Sequence, residues 1–587
     1  MKNPEDRNKV ITYFLISLFA VFIALISNSK LSGEDDLFWY LSTGRYIVQT
    51  GSVPSTDVFG YTTLGKPWIP FEWGWDVINY GIYQVEGFVS LSLFATLIIL
   101  LIFYLLYSLL SKFKINTTVS ILVMLLLAFG MMTRLSVKPH LATYLFFMVV
   151  LTILVNYKYF KRENYKSLFY LPLIFAVWMN MHMGVLAGLL LLAIFTVSEI
   201  INYLFKINSP AAPALDKKSL LRLVIISVVS VAATLINPHF INTYIYAMHI
   251  VSMKQLEIIY EWVSPFNVIN QGQLFIYVYY LFIAGIISVL IYSYRKKDIF
   301  AALLYIGFFL HSVRAVRLTV DFILTGAVFF ALSLNYLLNT GSMGKALNSI
   351  AAKTTAIVVL LALIISIPSN NLYHFINSPR ILGAGIDRNN FPVKMFKFIK
   401  ESGLNKDFDN VFNTYEMGGY YVWNFPDKKN FIGSRGINDE IWNQYTKVIN
   451  TEPGYLAVLD SSKVDNVLWF VPNLNYGMNP ALLKLPLLDF LSHTWSLVYW
   501  DDVSFVFVRE MKDNARFLVR YLYNYLTPFN IYYNTKDLEF GLQYNRKIIL
   551  QELKRKLSED PNGIIINKFI REHPGIVNEI GTLDEDK

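Results

Sequence analysis

Cysteine is absent from all 587 residues, which excludes disulfides, thiolate metal sites and thiol nucleophiles; an outward-facing domain must fold without covalent staples. Charge is scarce too. Asp, Glu, Lys and Arg supply 16% of the chain against 55% hydrophobic residues, with a mean hydropathy of +0.42. Also missing are a dinucleotide fingerprint, a phosphate loop, a zinc-spaced His pair and any repeat of fixed period. What is abundant is apolar sequence, in runs near the ~20 residues needed to cross a bilayer. The chain therefore reads as a polytopic membrane protein whose first partner is the lipid bilayer. Its net charge of +9 lies in short tufts between apolar runs rather than on one soluble face, so no nucleic-acid partner is expected. The first run lacks a small-residue cleavage site before "NSKLSGEDD" and is read as a retained span.

Eleven spans are expected, at about 10–28, 88–110, 117–133, 141–156, 168–180, 183–205, 221–236, 274–293, 299–313, 319–338 and 354–369. The fifth and sixth are split at "WMNMHMG", because one helix over 167–200 would be about 50 Å long against a ~30 Å hydrocarbon core. Charge bias tests this map independently. The loops on the N-terminal side carry eighteen Lys and Arg, the opposite loops only eight. The N-terminus is thus expected in the cytoplasm, and an odd number of spans sends the C-terminal region outside. Residues 1–369 form the expected membrane domain, with its first outer loop at 31–87. Residues 370–510 read as an extracytoplasmic α/β domain: "FPVKMFKFIKESGL" is helical, and "NVFNTY", "YYVWNF", "NFIGSR", "NVLWFVP" and "SLVYWDDVSFVFVRE" are expected strands. Residues 511–587 form a helical tail.

On this map the unusual polar residues face outward. Glu34, Asp35, Asp36, Arg45, Asp57, Glu72 and Asp76 lie in the first outer loop. Arg134, Lys138 and His140 lie in "RLSVKPH", Asn180 and His182 in "WMNMH", Asn237 and His239 in "INPHF", Glu257 and Glu261 in "LEIIYEW", and Arg314 and Arg317 in "HSVRAVR". Charges near bilayer depth cost about 2.5–3.5 kcal/mol each on insertion scales, so several carried toward one face imply a shared polar cavity. Carboxylates from one loop and cations from others suit an anionic lipid-borne substrate, with Arg and Lys on phosphate and a carboxylate as base. The three His lie on separate motifs without metal-ligand spacing, which does not make a zinc site.

The segment "EDDLFWYLSTGRYIVQTGSVPSTDVFGYTTLGKPWIPFEWGWD" resembles the first outer loop of bacterial integral membrane glycosyltransferases of the GT-C superfamily, relatives of protein O-mannosyltransferases and oligosaccharyltransferases. Thr43-Gly44-Arg45, Tyr61-Thr62, Pro67-Trp68 and Glu72-Trp73 match the pattern. Phe38 replaces its Trp and Tyr40 its His. Lys138-Pro139-His140, Trp178-x-Asn180-x-His182, Asn237-Pro238, Glu261-Trp262 and Arg317 match further short motifs. "FNTYEMGGYYVWNFPDKKNFIGSRGIND" is similar to a strand-turn segment of the same proteins, and its Gly433-Ser434-Arg435 departs from their Asp-Gly-Arg.

The resemblance implies a GT-C-like helical membrane fold of about eleven spans and a sugar transferase of the bacterial cytoplasmic membrane serving the cell envelope. Its donor would be a polyprenyl-phosphate-linked sugar; its acceptor would be a glycan, lipid or protein outside the cytoplasm. Carried onto this chain, it makes Asp36 the first choice of catalytic carboxylate, ahead of Glu34 and Asp35, with Glu72 a further candidate. It makes Arg45, Lys138, His140, Asn180, His182, Asn237, Arg314 and Arg317 the substrate-binding set. It leaves a divalent ion, Mg or Mn, open and implies no organic cofactor. Phosphate is already a good leaving group, so no second carboxyl is needed as general acid, in contrast to a glycoside hydrolase. Two other functions share these features: a transporter or flippase of lipid-linked sugars, and a non-catalytic assembly subunit. Transporters show inverted repeats and mid-membrane polar residues; here no repeat is detected and the polar residues favour one face, which leans against transport. Acids also cap helix N-termini, so Glu34 to Asp36 have a purely structural alternative.

Overall fold

The computed structural model describes residues 4–31, 35–160, 165–209, 213–253, 259–338, 342–347, 349–378, 380–387, 390–435, 439–471, 490, 494–511 and 515–580. Contacts divide the chain into two compact units. The membrane unit comprises Met1–Leu31, Thr43–Val53 and Ile69–Gly385. The second unit comprises Ser32–Ser42, Pro54–Trp68 and Ile386–Lys587, so it takes two pieces of the expected first outer loop.

In chain order the membrane unit's helices are α1 (Pro4–Ser27), α2 (Asp35–Thr50), α3 (Trp73–Lys112), α4 (Thr117–Gly130), α5 (His140–Tyr159), α6 (Leu171–Met179), α7 (Val185–Leu204), α8 (Lys217–Ala233), α9 (Asn242–Val251), α10 (Leu274–Lys296), α11 (Ile299–Ser312), α12 (Thr319–Leu338), α13 (Ser342–Leu347) and α14 (Ile350–Ser366). The chain crosses between units within α2, after Ser42. All eleven predicted apolar segments are helical, because a chain in lipid must satisfy its backbone polar groups internally. Among the described residues six helices, Arg7–Ser27, Trp73–Lys112, His140–Tyr159, Val185–Leu204, Leu274–Lys296 and Val316–Leu338, are long and apolar enough to cross a membrane. The other five, α4, α6, α8, α11 and α14, run 9 to 17 residues. The chain is a multi-pass membrane protein. Helix α3 breaks at Glu86 and Gly87, where Gly87 takes φ 60°, ψ −135°; the predicted span begins one residue later. Helix α6 ends at Met179 and α7 starts at Val185, which separates the fifth and sixth spans at "NMHMG" as expected.

The second unit is built on a four-stranded sheet of order β1-β2-β4-β3, with β1 Val411–Asn413, β2 Asn466–Phe470, β3 Trp495–Trp500 and β4 Ser504–Arg509. Strands β1 and β2 are parallel; β2/β4 and β3/β4 are antiparallel. Every residue of β1, β2 and β3 is buried, the pattern of strands covered on both faces. The helix expected in "FPVKMFKFIKESGL" runs Val393–Ser402 and stops at Gly403, whose φ is 79°. Two strand expectations fail. "YYVWNF" lies in a helix, Gly418–Asn424, that buries Tyr420, Tyr421 and Val422 together; for so short an apolar run, burial rather than β propensity sets the conformation. "NFIGSR" is irregular, held by an isolated parallel bridge between Gly60 and Asn430. Helix Arg546–Glu559 clamps the sheet: Arg555 Nη2 donates to the Val498 carbonyl and Lys556 Nζ to that of Trp500.

Candidate functional site

Each unit carries its own group of candidate residues. In the second unit the group forms around the start of α2. Glu34 lies outside the described residues, as does the Asp35 side chain, while Asp36 is half-buried. The residues after it, Leu37 to Leu41, are all buried. Phe38 packs edge-on against Tyr420 and Phe391 with centroids at 4.8 and 5.1 Å, and Trp39 against Phe59 at 5.6 Å. Segment 430–435 closes over this helix start. Asn413 shapes it, accepting from Phe431 N at 2.9 Å and donating to the Ile432 carbonyl at 2.7 Å. The loop 54–68 steadies it from the other side through Thr62 Oγ1 to the Phe431 carbonyl, 2.6 Å. That loop is in turn pinned by buried Asp57, which accepts from Phe59 N at 2.8 Å and from the Thr63 hydroxyl.

The result is one hydrogen bond that no single motif reveals: Ser434 Oγ donates to Asp36 Oδ1 at 2.7 Å. Beside it the Arg435 guanidinium lies 5.1 Å from the Tyr40 ring centroid. Tyr40 and Ser434 are two of the positions that depart from the pattern the sequence resembles: Ser434 holds the Asp36 carboxylate, and Tyr40 faces the guanidinium of the next residue, Arg435. Gly433 makes the approach possible, since a Cβ there would sit 2.2 Å from Trp39 Cζ2. Gly433→Ala is therefore expected to cost about 1–3 kcal/mol by overpacking against a buried Trp. Thermal unfolding in detergent checks this, and an unchanged midpoint would show that the loop gives way freely.

In the membrane unit the candidates gather around an ion pair, Arg134 Nη1 to Glu261 Oε1 at 2.8 Å, with the Arg134 side chain 7% exposed. Burial alone would raise the Glu261 carboxyl, but Arg134, Lys138 and Arg317 outweigh it and hold the group at about 2. Arg317 stacks 4.6 Å over Trp262. His140 Nε2 meets the Arg134 carbonyl at 2.6 Å, and its ring feels Arg134, Lys138 and His182. His182 Nδ1 accepts from Gly184 N at 3.1 Å and meets the Thr143 hydroxyl at 2.8 Å, so the neutral ring carries its proton on Nε2. Lys138, His140, His182 and Arg317, from three separate motifs, are thus brought together around Arg134 and Glu261.

Because the folded carboxyl lies below its ordinary 4.5, the stability it contributes is complete above that value and is lost as pH falls toward about 2. The difference in unfolding midpoint between wild type and Glu261→Gln is therefore expected to stay constant from about pH 5 to 9 and to shrink below about pH 4.5. A difference that varied across the neutral range would mean that Glu261 titrates there and is not held by these cations.

The remaining candidates are placed differently. Asn180 is spent on the protein: its Oδ1 accepts from Trp73 Nε1 at 2.7 Å and its Nδ2 donates to the Ala176 and Ile236 carbonyls at 2.7 and 2.8 Å. Asn237 closes its own turn, accepting from His239 N at 3.0 Å and Thr243 Oγ1 at 2.7 Å. Glu72 precedes α3 without capping it by its side chain. Arg45 follows Gly44, where α2 lies so close to α3 that a Cβ would fall 2.2 Å from the Asp76 carbonyl oxygen. Arg314 is exposed. Arg380, which sequence reading passed over, donates to the Leu135 carbonyl at 2.6 Å, on the "RLSVKPH" turn. Ser434 and Arg435 were missed as site residues; Arg134 was noted only as an outward polar group, and Glu261 as one of these and as part of the Glu261-Trp262 motif. Among the described residues no three His, Asp or Glu side chains gather as metal ligands.

No family profile and no curated protein matches the sequence. Solved structures do. An oligosaccharyltransferase from Archaeoglobus fulgidus, tethered to an acceptor peptide, superimposes with a TM-score of 0.53 at 13% identity over 85% of this chain and 74% of that one. The archaeal oligosaccharyltransferase AglB from the same organism, in complex with an inhibitory peptide and a dolichol-phosphate, gives 0.51 at 13% identity over 85% and 75%. The arabinofuranosyltransferase AftD from Mycobacteria gives 0.50 at 11% identity over 87% of this chain and 40% of its own. At such identities the likeness is one of fold: this chain shares the membrane fold of these oligosaccharyltransferases and of AftD.

Proposed function

We propose that the chain transfers a sugar from a polyprenyl-phosphate-linked donor to an acceptor outside the cytoplasm. The observation that carries this reading is the Asp36 carboxylate, oriented by Ser434 at the head of α2, in a chain with the GT-C fold. Asp36 is assigned as the base that takes the proton from the acceptor nucleophile. Arg134, Lys138 and Arg317 are assigned to the phosphate of the lipid donor, where a cationic group stabilises charge developing on the leaving oxygen. Glu34, Asp35 and Glu72 stand behind Asp36 as carboxylates; Arg45, His140, His182 and Arg314 are assigned to donor contacts, Asn180 and Asn237 to positioning. A solved oligosaccharyltransferase of this fold is bound to dolichol-phosphate, which supports the donor class. The reading includes a bacterial cytoplasmic membrane, an N-terminus in the cytoplasm, and the domain division at 369 and 510.

The test is covalent. Proteoliposomes of the full chain receive polyprenyl-linked sugars labelled and extracted from native membranes, together with the aqueous and lipid acceptors of the same cells. Label passing into a product freed from the polyprenyl carrier is expected. Label that changes leaflet while still carrier-linked would make the protein a flippase and overturn the proposal.

A further inference from the structure

The turn between α3 and α4 holds a pocket of about 300 Å³. Lys114, Asn116, Thr117, Ser111, Ser120 and Asn335 line it, and among the described residues no carboxylate does. It lies at the N-terminus of α4, with the helix's full 14 residues between it and the Arg134 end. That is about 21 Å of rise, so the pocket is separate from the candidate residues of the membrane unit. Helix N-termini present unpaired N–H groups and the positive end of the helix dipole, and Lys114 adds a full positive charge.

A second feature makes this more than a helix start. Asn116 is 7% exposed, and its Oδ1 accepts from Thr118 N at 2.9 Å, which fixes the orientation of the amide. Its Nδ2, carrying two protons, has no hydrogen-bond partner among the described residues. A buried donor of this kind costs free energy unless something accepts from it. Its main-chain N–H is already taken, donating to Asn335 Oδ1 at 3.2 Å. Hydroxyls, an amide donor, an ammonium and a helix N-terminus, without any acid, select an anion. Lys112 directly follows the lining residue Ser111 in sequence, and the charge bias of the loops expects this turn on the base-rich side of the membrane, where anionic headgroups concentrate.

We infer that this pocket binds a phosphate group at the membrane surface, carried by an acidic phospholipid headgroup or supplied as free phosphate. Asn116→Asp is the discriminating variant. Asp caps a helix as well as Asn does, so α4 keeps its start, but the buried donor becomes an acceptor that repels the anion. The full chain is placed in nanodiscs of phosphatidylcholine with about one-fifth phosphatidylglycerol, delipidated with detergent, and retained lipid is counted by mass spectrometry. Wild type is expected to hold phosphatidylglycerol about tenfold more tightly than Asn116→Asp or Lys114→Ala. In a second arm, inorganic phosphate is titrated against the unfolding midpoint in detergent. Retention that falls in both variants without a phosphate effect assigns the lipid. A phosphate-induced rise in wild type but not in Asn116→Asp, with equal lipid retention, assigns the free ion. Equal retention in all three proteins and no phosphate effect overturns the site. The Lys114→Ala variant leaves the cap untouched, so a folding defect confined to Asn116→Asp cannot mimic the result.

Discussion

Asp36→Asn is expected to lower sugar transfer by about 10²–10⁴-fold, the range contributed by a positioned general base. The substitution is nearly isosteric, and the Asn side-chain oxygen still accepts from the Ser434 hydroxyl that holds Asp36 Oδ1 at 2.7 Å. Loss of charge is thereby separated from loss of structure, and the unfolding midpoint should hardly move. Ser434→Ala tests the orienting contact. It removes one charge-assisted hydrogen bond, so it should lower kcat by a smaller factor and leave KM for the lipid donor unchanged. The double variant should be no worse than Asp36→Asn alone, because Ser434 acts through a carboxylate that is no longer there. Full activity in Asp36→Asn would remove the base assignment and move it to Glu34 or Asp35. An additive double variant would instead give Ser434 a role independent of Asp36.

The membrane helices were legible because lipid leaves few options: every apolar run of sufficient length must close its own hydrogen bonds, so hydropathy alone locates it. The split at 180–184 followed from length arithmetic, and the break in α3 falls where Glu86-Gly87 interrupts the apolar pattern. The Ser434–Asp36 contact was not legible. It joins residues 398 positions apart, and although both segments resemble family motifs, nothing in either states that they meet. "YYVWNF" was misread for a different reason: aromatic and β-branched composition describes a half-buried surface, and the helix Gly418–Asn424 presents one equally well. Arg134 and Glu261 did leave a signal, being opposite charges on loops expected at the same face, but a shared face does not state which charges pair.

A lone acid in an apolar helix is the remaining signal, and it leads to the largest expected change in stability. Glu199 is the one charged residue of the twenty in α7, in "AIFTVSEIINYL", and an ionisable group at such a place requires a partner. The partner is Lys158 at the end of α5, counted in the sequence as a topology charge. The two side chains form an ion pair with exposures of 1% for Lys158 and 0% for Glu199. The surroundings are aromatic, with the Lys158 ammonium 5.7 Å from the Tyr159 ring centroid and 6.0 Å from that of Phe300. Removing Lys158 leaves the Glu199 carboxylate with a neutral donor, Asn202 Nδ2 at 3.4 Å, in place of its cation, and removing Glu199 leaves the buried Lys158 ammonium with the Asp298 carboxylate as a further charge acting on it. Lys158→Met or Glu199→Leu alone is therefore expected to destabilise the membrane unit by about 3–5 kcal/mol. The double variant Lys158→Met/Glu199→Leu should recover most of that loss, because two apolar side chains of similar volume escape the desolvation penalty of both ions. Unfolding midpoints in detergent for the four proteins give the ordering directly. Two damaging single variants whose effects simply add would show that the charges act separately, and harmless singles would show that water reaches the pair.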